Sequence, residues 1–153
     1  MTQPLPVEIK IDSKSIKGVQ EALDKYGQEA VKGLSDVVRA TAFELAGNIV
    51  KGIQRGPRTG RVYESYSPQR THQASAPGEA PKTDTGRLAS SVDFEFKGLS
   101  AQVFSSVMYA VYLEAGTRTM APRPIWNPER DKIAPKAAKR AAARIARMNG
   151  GTL

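Results

Sequence analysis

Asp84-Thr85-Gly86 is the stretch of this 153-residue chain that comes nearest to a catalytic motif, the tripeptide carrying the active carboxylate of retroviral-type aspartic proteases. That chemistry needs an apolar strand leading into the aspartate and a second aspartate supplied by symmetry, so that acid and carboxylate share a proton. Here the lead-in is Ala80-Pro81-Lys82-Thr83 and the follower is Arg87, so Asp84 reads instead as the cap of a short helical turn running to Ser91. The glycine-bearing stretches 56–60 and 78–86 lack the lysine and spacing of a phosphate-binding loop. His72 lies in a polar segment with no serine and aspartate arranged about it, and Glu64, Glu79 and Glu114 have no spacing that specifies an acid and a base. Cysteine is absent, which excludes a thiol nucleophile and a disulfide framework, and one histidine cannot build a His-rich metal site alone. No catalytic residue, metal ligand or cofactor site is expected.

The residue types suited to contact are better organised. Between 55 and 83 the chain carries Arg55, Arg58, Arg61 and Arg70 together with Tyr63, Tyr66 and His72. Arginine and aromatic residues are the types favoured at interface centres. The same stretch holds Gly56, Pro57, Gly60, Pro68, Pro77, Gly78 and Pro81, which break any helix or central strand. A connection of about thirty residues without an apolar face is unusual inside a compact domain, and an entropic linker would be richer in Gly, Ser and acidic residues. The reading is an extended interaction arm that orders on assembly. A second concentration of charge lies at 129–147, where seven Lys and Arg stand against two acidic residues in a chain of net charge +8.

The elements around these residues follow from periodicity. Val7, Ile9 and Ile11 alternate with polar neighbours as a strand, and 12–15 supplies capping residues for a first helix over about 15–26 that Gly27 weakens. A second helix over 28–54 carries Val31, Leu34, Val38, Ala42, Leu45, Ile49 and Ile53 at spacings of three and four, one stripe to lay on a sheet. Gly33, Gly47 and Gly52 inside it suggest close packing. Val92, Phe94 and Phe96 alternate with Asp93, Glu95 and Lys97, and after a turn at 98–100 Ala101, Val103 and Ser105 return on one face, predicting a hairpin. The stretch 108–115 suits a third strand or a short helix. The final helix covers 128–148, with Pro128 at its start and Pro135 expected to kink or restart it. Its inner stripe is Ile133, Ala137, Ala141, Ile145 and Met148, leaving Lys136, Lys139, Arg140, Arg144 and Arg147 largely outside. These elements make one α+β domain: an N-terminal strand and two helices, a long Pro/Gly-rich arm, a small antiparallel sheet and a basic C-terminal helix.

Two longer patterns add a resemblance. The first is Thr59-Gly60-Arg61-Val62-Tyr63, then 71–81 ending Ala76-Pro77-Gly78-Glu79-Ala80-Pro81, then Asp84-Thr85-Gly86-Arg87-Leu88-Ala89-Ser90-Ser91-Val92. The second is Tyr109-Ala110-Val111-Tyr112-Leu113-Glu114-Ala115-Gly116-Thr117 followed by Met120-Ala121-Pro122-Arg123-Pro124. In this order they resemble the head-to-tail joining, or tail-completion, proteins of lambda-like long-tailed phages, the "gene product ten" tail-component family, over nearly the whole chain. Two departures are Ala115, where that family usually has Phe, and Ile125-Trp126, where Phe is usual after the proline; Trp126 is placed to refill the same pocket.

The resemblance implies a non-enzymatic structural protein of the virion neck, made in the host bacterial cytoplasm. It implies a closed ring of copies, with a hexamer expected, that meets a head-side connector and a tail terminator or tail tube. The arm of one copy would then lie across the hairpin edge of the next or across its Tyr109 to Thr117 segment, with Tyr109, Tyr112, Glu114, Arg118, Met120 and Arg123 as interface residues, although Tyr109, Tyr112 and Glu114 also suit core packing with one solvated charge. Lys136, Lys139, Arg140, Arg144 and Arg147 would face DNA in the lumen or another anion, or simply water. A sequence-independent DNA-binding protein is the alternative, prompted by a pI near 9.9 but lacking a base-stacking platform or a helix-turn-helix pattern. No apolar run approaches the roughly 20 residues that span a bilayer, and Pro4, Pro6 and Glu8 do not suit a signal segment. No membrane partner is expected.

Overall fold

The computed structural model describes residues 9–10, 17–66 and 69–148. The chain order is β1 (Ile9–Lys10), α1 (Lys17–Arg55), β2 (Val62–Tyr66), β3 (Gln69–Gln73), α2 (Arg87–Ser90), β4 (Val92–Lys97), β5 (Ser100–Ser105), α3 (Tyr109–Ala115) and α4 (Trp126–Met148). The fold is α+β, with a three-stranded antiparallel sheet in the order β1-β5-β4 and a separate two-stranded sheet of β2 and β3. Val7, Ile11 and the capping stretch 12–15 lie outside the described residues.

Within α1 the backbone leaves helical geometry at Gly27, with φ 73° and ψ −165°, so two helices meet at the residue expected to separate them. Positive φ carries a steric cost for any residue with a Cβ, which is why glycine stands there. Beyond it Leu34, Val38, Ala42, Leu45, Ile49 and Ile53 are buried as one stripe, while Val31, expected on it, is 40% exposed. Gly33 is covered by the Arg144 side chain and Gly52 by Ile125, both on the chain's C-terminal third, whereas a Cβ at Gly47 would meet nothing. Two of the three glycines thus mark close packing.

The β4–β5 hairpin forms in the expected alternation. Ala101, Val103 and Ser105 are buried beneath α1, and Val92, Phe94 and Phe96 pack against the same core, leaving Asp93, Glu95 and Lys97 exposed on the other face. Ser105 tolerates burial because its hydroxyl shares a 2.7 Å hydrogen bond with that of Ser91. Leu45, Ile49, Ile53 and Trp126 complete the core, each large side chain contributing about 1.5–3 kcal/mol by leaving water.

The structure decides or alters four expectations. The stretch 108–115 is a helix, with Ala110 in the core and Gly116 N–H closing onto Tyr112 O at 2.8 Å. The arm is not wholly irregular: β2 and β3 pair from Val62↔Gln73 to Tyr66↔Gln69. Its strands escape a periodicity reading because the described side chains on both faces are exposed or only half-buried, so no apolar alternation is needed. Asp84 does not cap α2; Gly86 occupies that position at φ 83°, and its N–H bonds Thr83 Oγ1 at 3.0 Å. Finally, α4 starts at Trp126 and does not restart at Pro135. Pro128 falls in its first turn, where amides have no intrahelical acceptor to lose.

Candidate assembly cleft

The residues of both sequence patterns converge on one open cleft of about 380 Å³. Its walls are the β2–β3 hairpin with Tyr63, Arg70 and His72, the segment 81–88, the α3 residues Tyr109 and Leu113, and Arg123. The hairpin is tied to this body at a carboxylate. Arg70 grips Asp84 with both terminal nitrogens, at 2.7 and 2.8 Å, and His72 Nδ1 stands 3.5 Å from the same group. Both charged partners are more than a third exposed, so the fork fixes geometry more than it adds stability. An aspartate held this way is a tie, not half of a proton-sharing dyad.

Most of the first pattern builds the base of the hairpin. Gly60 N–H donates to Ala74 O at 2.9 Å and Ala74 N–H to Arg61 O at 3.0 Å, with Gly60 so close to the Ser75 carbonyl that a Cβ would collide with backbone. Glu79 accepts from Thr59 Oγ1 at 2.6 Å and from Ala76 N–H at 2.8 Å, and these two bonds hold its carboxyl below the usual carboxylate range. Gly78, at φ 82°, donates to Pro122 O and so fastens this loop to the Arg-Pro turn. Lys82 Nζ reaches Gln54 O and Thr83 N–H donates to Ile53 O, closing the carbonyl end of α1.

The second pattern positions α3 and α4. Glu114, expected as a contact or a solvated charge, is engaged within the chain: Oε2 accepts from Ile125 N–H at 2.8 Å and Trp126 N–H at 3.1 Å, and Oε1 accepts from Asn127 N–H at 2.8 Å. A carboxylate thus sits where the helix presents unpaired donors and the positive end of its dipole. Gly116 takes φ 77°, and a Cβ there would collide with Met120 O and Pro122. Thr117 Oγ1 accepts from Thr119 and Met120 N–H, shaping the turn that delivers Arg123. Arg123 Nε in turn donates to Ser75 O at 3.2 Å, while Trp126 is fully buried.

The expected contact residues therefore divide. Tyr63, with Arg61 5.5 Å above its ring, and Tyr109 stand at the cleft with half their surface or less exposed, and burial raises the Tyr109 phenol above its usual range although Arg87 lowers it. Tyr112, Arg118, Arg55 and Arg58 are exposed, Met120 is half-buried, and the Tyr66 side chain lies outside the described part of β2. On α4, Lys136, Lys139 and Arg147 are exposed, but Arg140 bonds Glu44 of α1 and Arg144 covers Gly33, so these two are partly committed within the chain. Sequence reasoning missed Arg87, Asp84 and Lys82 as cleft residues and Glu79 as the brace of the hairpin base, since each acts on a partner distant in sequence or on a backbone group. Among the described residues no group of three His, Asp or Glu gathers as a metal site, and no helix is long and apolar enough to cross a membrane.

The family model described as "Bacteriophage HK97-gp10, putative tail-component" matches residues 17–116, from the start of α1 through α3. The Arg-Pro turn and α4 lie beyond the matched part. No curated protein and no solved structure matches the chain. With the cleft assembled from the very stretches that carried the resemblance, the chain belongs to the HK97-gp10 tail-component family and is a structural protein of the phage tail.

Proposed function

We propose that this tail component works in the neck of a long-tailed phage, closing into a ring of copies, six by expectation, that joins the DNA-filled head to the tail. The observation that carries the reading is the β2–β3 hairpin, a two-stranded sheet outside the main sheet with Val62 and Tyr63 half-exposed. An isolated two-stranded hairpin is marginal in water, so packing against another surface is the expected use of its exposed apolar groups. Ring closure requires one patch to meet a different patch on the next copy. The hairpin and the cleft at its foot supply contact surfaces of that kind, and the neighbouring rings would be the head-side connector and the tail terminator or tube. Replacing Tyr63 and Arg70 together by Ala should leave the melting temperature nearly unchanged yet yield heads and tails that fail to join. Joined, infectious particles from that variant would count against the assignment.

Direct binding of DNA is the second reading, favoured by Lys136, Lys139 and Arg147 exposed on α4. Weak, sequence-independent attraction suits a channel through which DNA must pass, because each phosphate contact adds affinity that would slow ejection. Nanomolar duplex binding by the isolated chain at low salt, lost at physiological salt, would favour this reading over a purely structural one.

A further inference from the structure

We propose that the cleft of one copy receives the acidic edge strand β4 of a second copy, with Phe43 as the apolar anchor beside that strand; this rests on the ring reading above. The receiving side carries four basic residues, Arg70, Lys82, Arg87 and Arg123, against Glu64 and Asp84. Arg87 and Arg123 both line the cleft, Arg87 without a carboxylate partner among the described residues, and Tyr63 and Tyr109 line it with them. Outside the cleft lining, Met108 just before α3 and Tyr112 within it have 58% and 48% of their surface exposed. Arg70 is not available in the same way, since Asp84 already holds it.

The inserted side has the opposite character. β4 ends the sheet order β1-β5-β4, so one of its edges has no partner strand among the described residues. Asp93 and Glu95 are exposed along it and pair with no cation among the described residues. On the opposite face of the strand, toward α1, Phe43 is 70% exposed, its ring 6.2 Å from that of Phe94 in an edge-to-face arrangement. A single exposed aromatic is unremarkable, but here it adjoins Phe94 and an unpartnered strand edge.

Charge complementarity selects the occupant. Facing two cleft patches would set Arg87 and Arg123 against their own copies, whereas cleft against edge pairs them with Asp93 and Glu95, which outnumber Lys97 on the exposed face of β4. One chain cannot satisfy itself: the cleft lies where Thr83 N–H closes the end of α1 at Ile53, and Phe43 lies ten residues earlier, about 15 Å along the helix. A pairing of two different patches is the kind that builds rings.

The test uses whole phage carrying altered copies of the gene. Arg87→Glu and Glu95→Arg should each lower the yield of joined particles by at least about tenfold, the factor that 1.4 kcal/mol represents, and the double variant should recover most of it. Because the chain has no cysteine, Tyr109→Cys combined with Glu95→Cys should give a ladder of cross-linked copies when virions are oxidised, and neither single variant should. Quantifying the wild-type copy number in virions reads the ring separately. Several copies per virion with no ladder, or with no recovery in the double variant, would overturn the cleft-to-edge pairing and leave the ring standing. A single copy per virion would overturn both.

Discussion

The carboxylate of Glu114, at the end of α3, accepts the backbone N–H of Trp126 at 3.1 Å and closes the N-terminus of α4 from another element. The bonds to Ile125 and Asn127 share the same group. Removing it should expose three donors at once. Glu114→Ala is expected to cost about 2 kcal/mol in urea unfolding and Glu114→Gln roughly half as much, since the amide keeps an acceptor but not the charge. An unchanged midpoint in the alanine variant would show that α4 needs no such cap.

Asp84 should matter to the hairpin and little to the fold. Both it and Arg70 are more than a third exposed, so Asp84→Ala is expected to lower stability by no more than about 1 kcal/mol. Amide exchange through β2 and β3 should nonetheless accelerate, because the ionic tie to the body is gone. Exchange identical to wild type would mean that other contacts hold the hairpin.

Two helical glycines should respond oppositely to the same substitution. A Cβ at Gly47 meets nothing within 4 Å, so Gly47→Ala is expected to stabilise α1 by up to about 1 kcal/mol. At Gly52 the new atom would stand 2.6 Å from Ile125 Cδ1, and overpacking of roughly 1–3 kcal/mol should exceed the propensity gain. Stability curves that move in the same direction for both would contradict this.

The basic residues of α4 should separate into two groups. Lys136→Glu with Lys139→Glu is expected to leave unfolding unchanged and to flatten the salt dependence of duplex binding by about two units of slope, if both contact phosphates. Arg140→Glu sets like charge against Glu44 and should lower stability by up to about 1 kcal/mol. Equal stability across the two sets would erase the distinction.

Glu79 provides a pH test at the hairpin base. Its folded-state pKa lies below the ordinary value of 4.5, held there first by the Thr59 hydroxyl and then by the Ala76 amide. A depressed carboxyl contributes stability that is complete above the ordinary value and is lost as pH falls through the lowered one. NMR titration should find Glu79 below 4.5, and Thr59→Val should raise it. A wild-type midpoint at or above the ordinary value would dismiss the hydroxyl contact.

By itself the sequence determined what local chemistry decides. The stripe from Leu34 to Ile53, the break at Gly27, the alternation of β4 and β5 and the inner face of α4 all follow from side-chain period and glycine's freedom at positive φ. The two long patterns also sufficed to indicate the family, because they preserve residues whose spacing no single element requires. Only the tertiary structure could say why those residues are there. Asp84 looked like a helix cap by its position before α2, yet its partners are Arg70 and His72, more than ten residues away in sequence. Glu114 looked like a contact or a solvated charge, yet it serves the backbone of a helix that begins after the next turn. Arg140 and Arg144 looked free on a basic face until α1 supplied Glu44 and the bare backbone of Gly33. In each case the deciding energy belongs to a pair of groups brought together by folding, and a one-dimensional period records only which face a side chain occupies, not what that face meets.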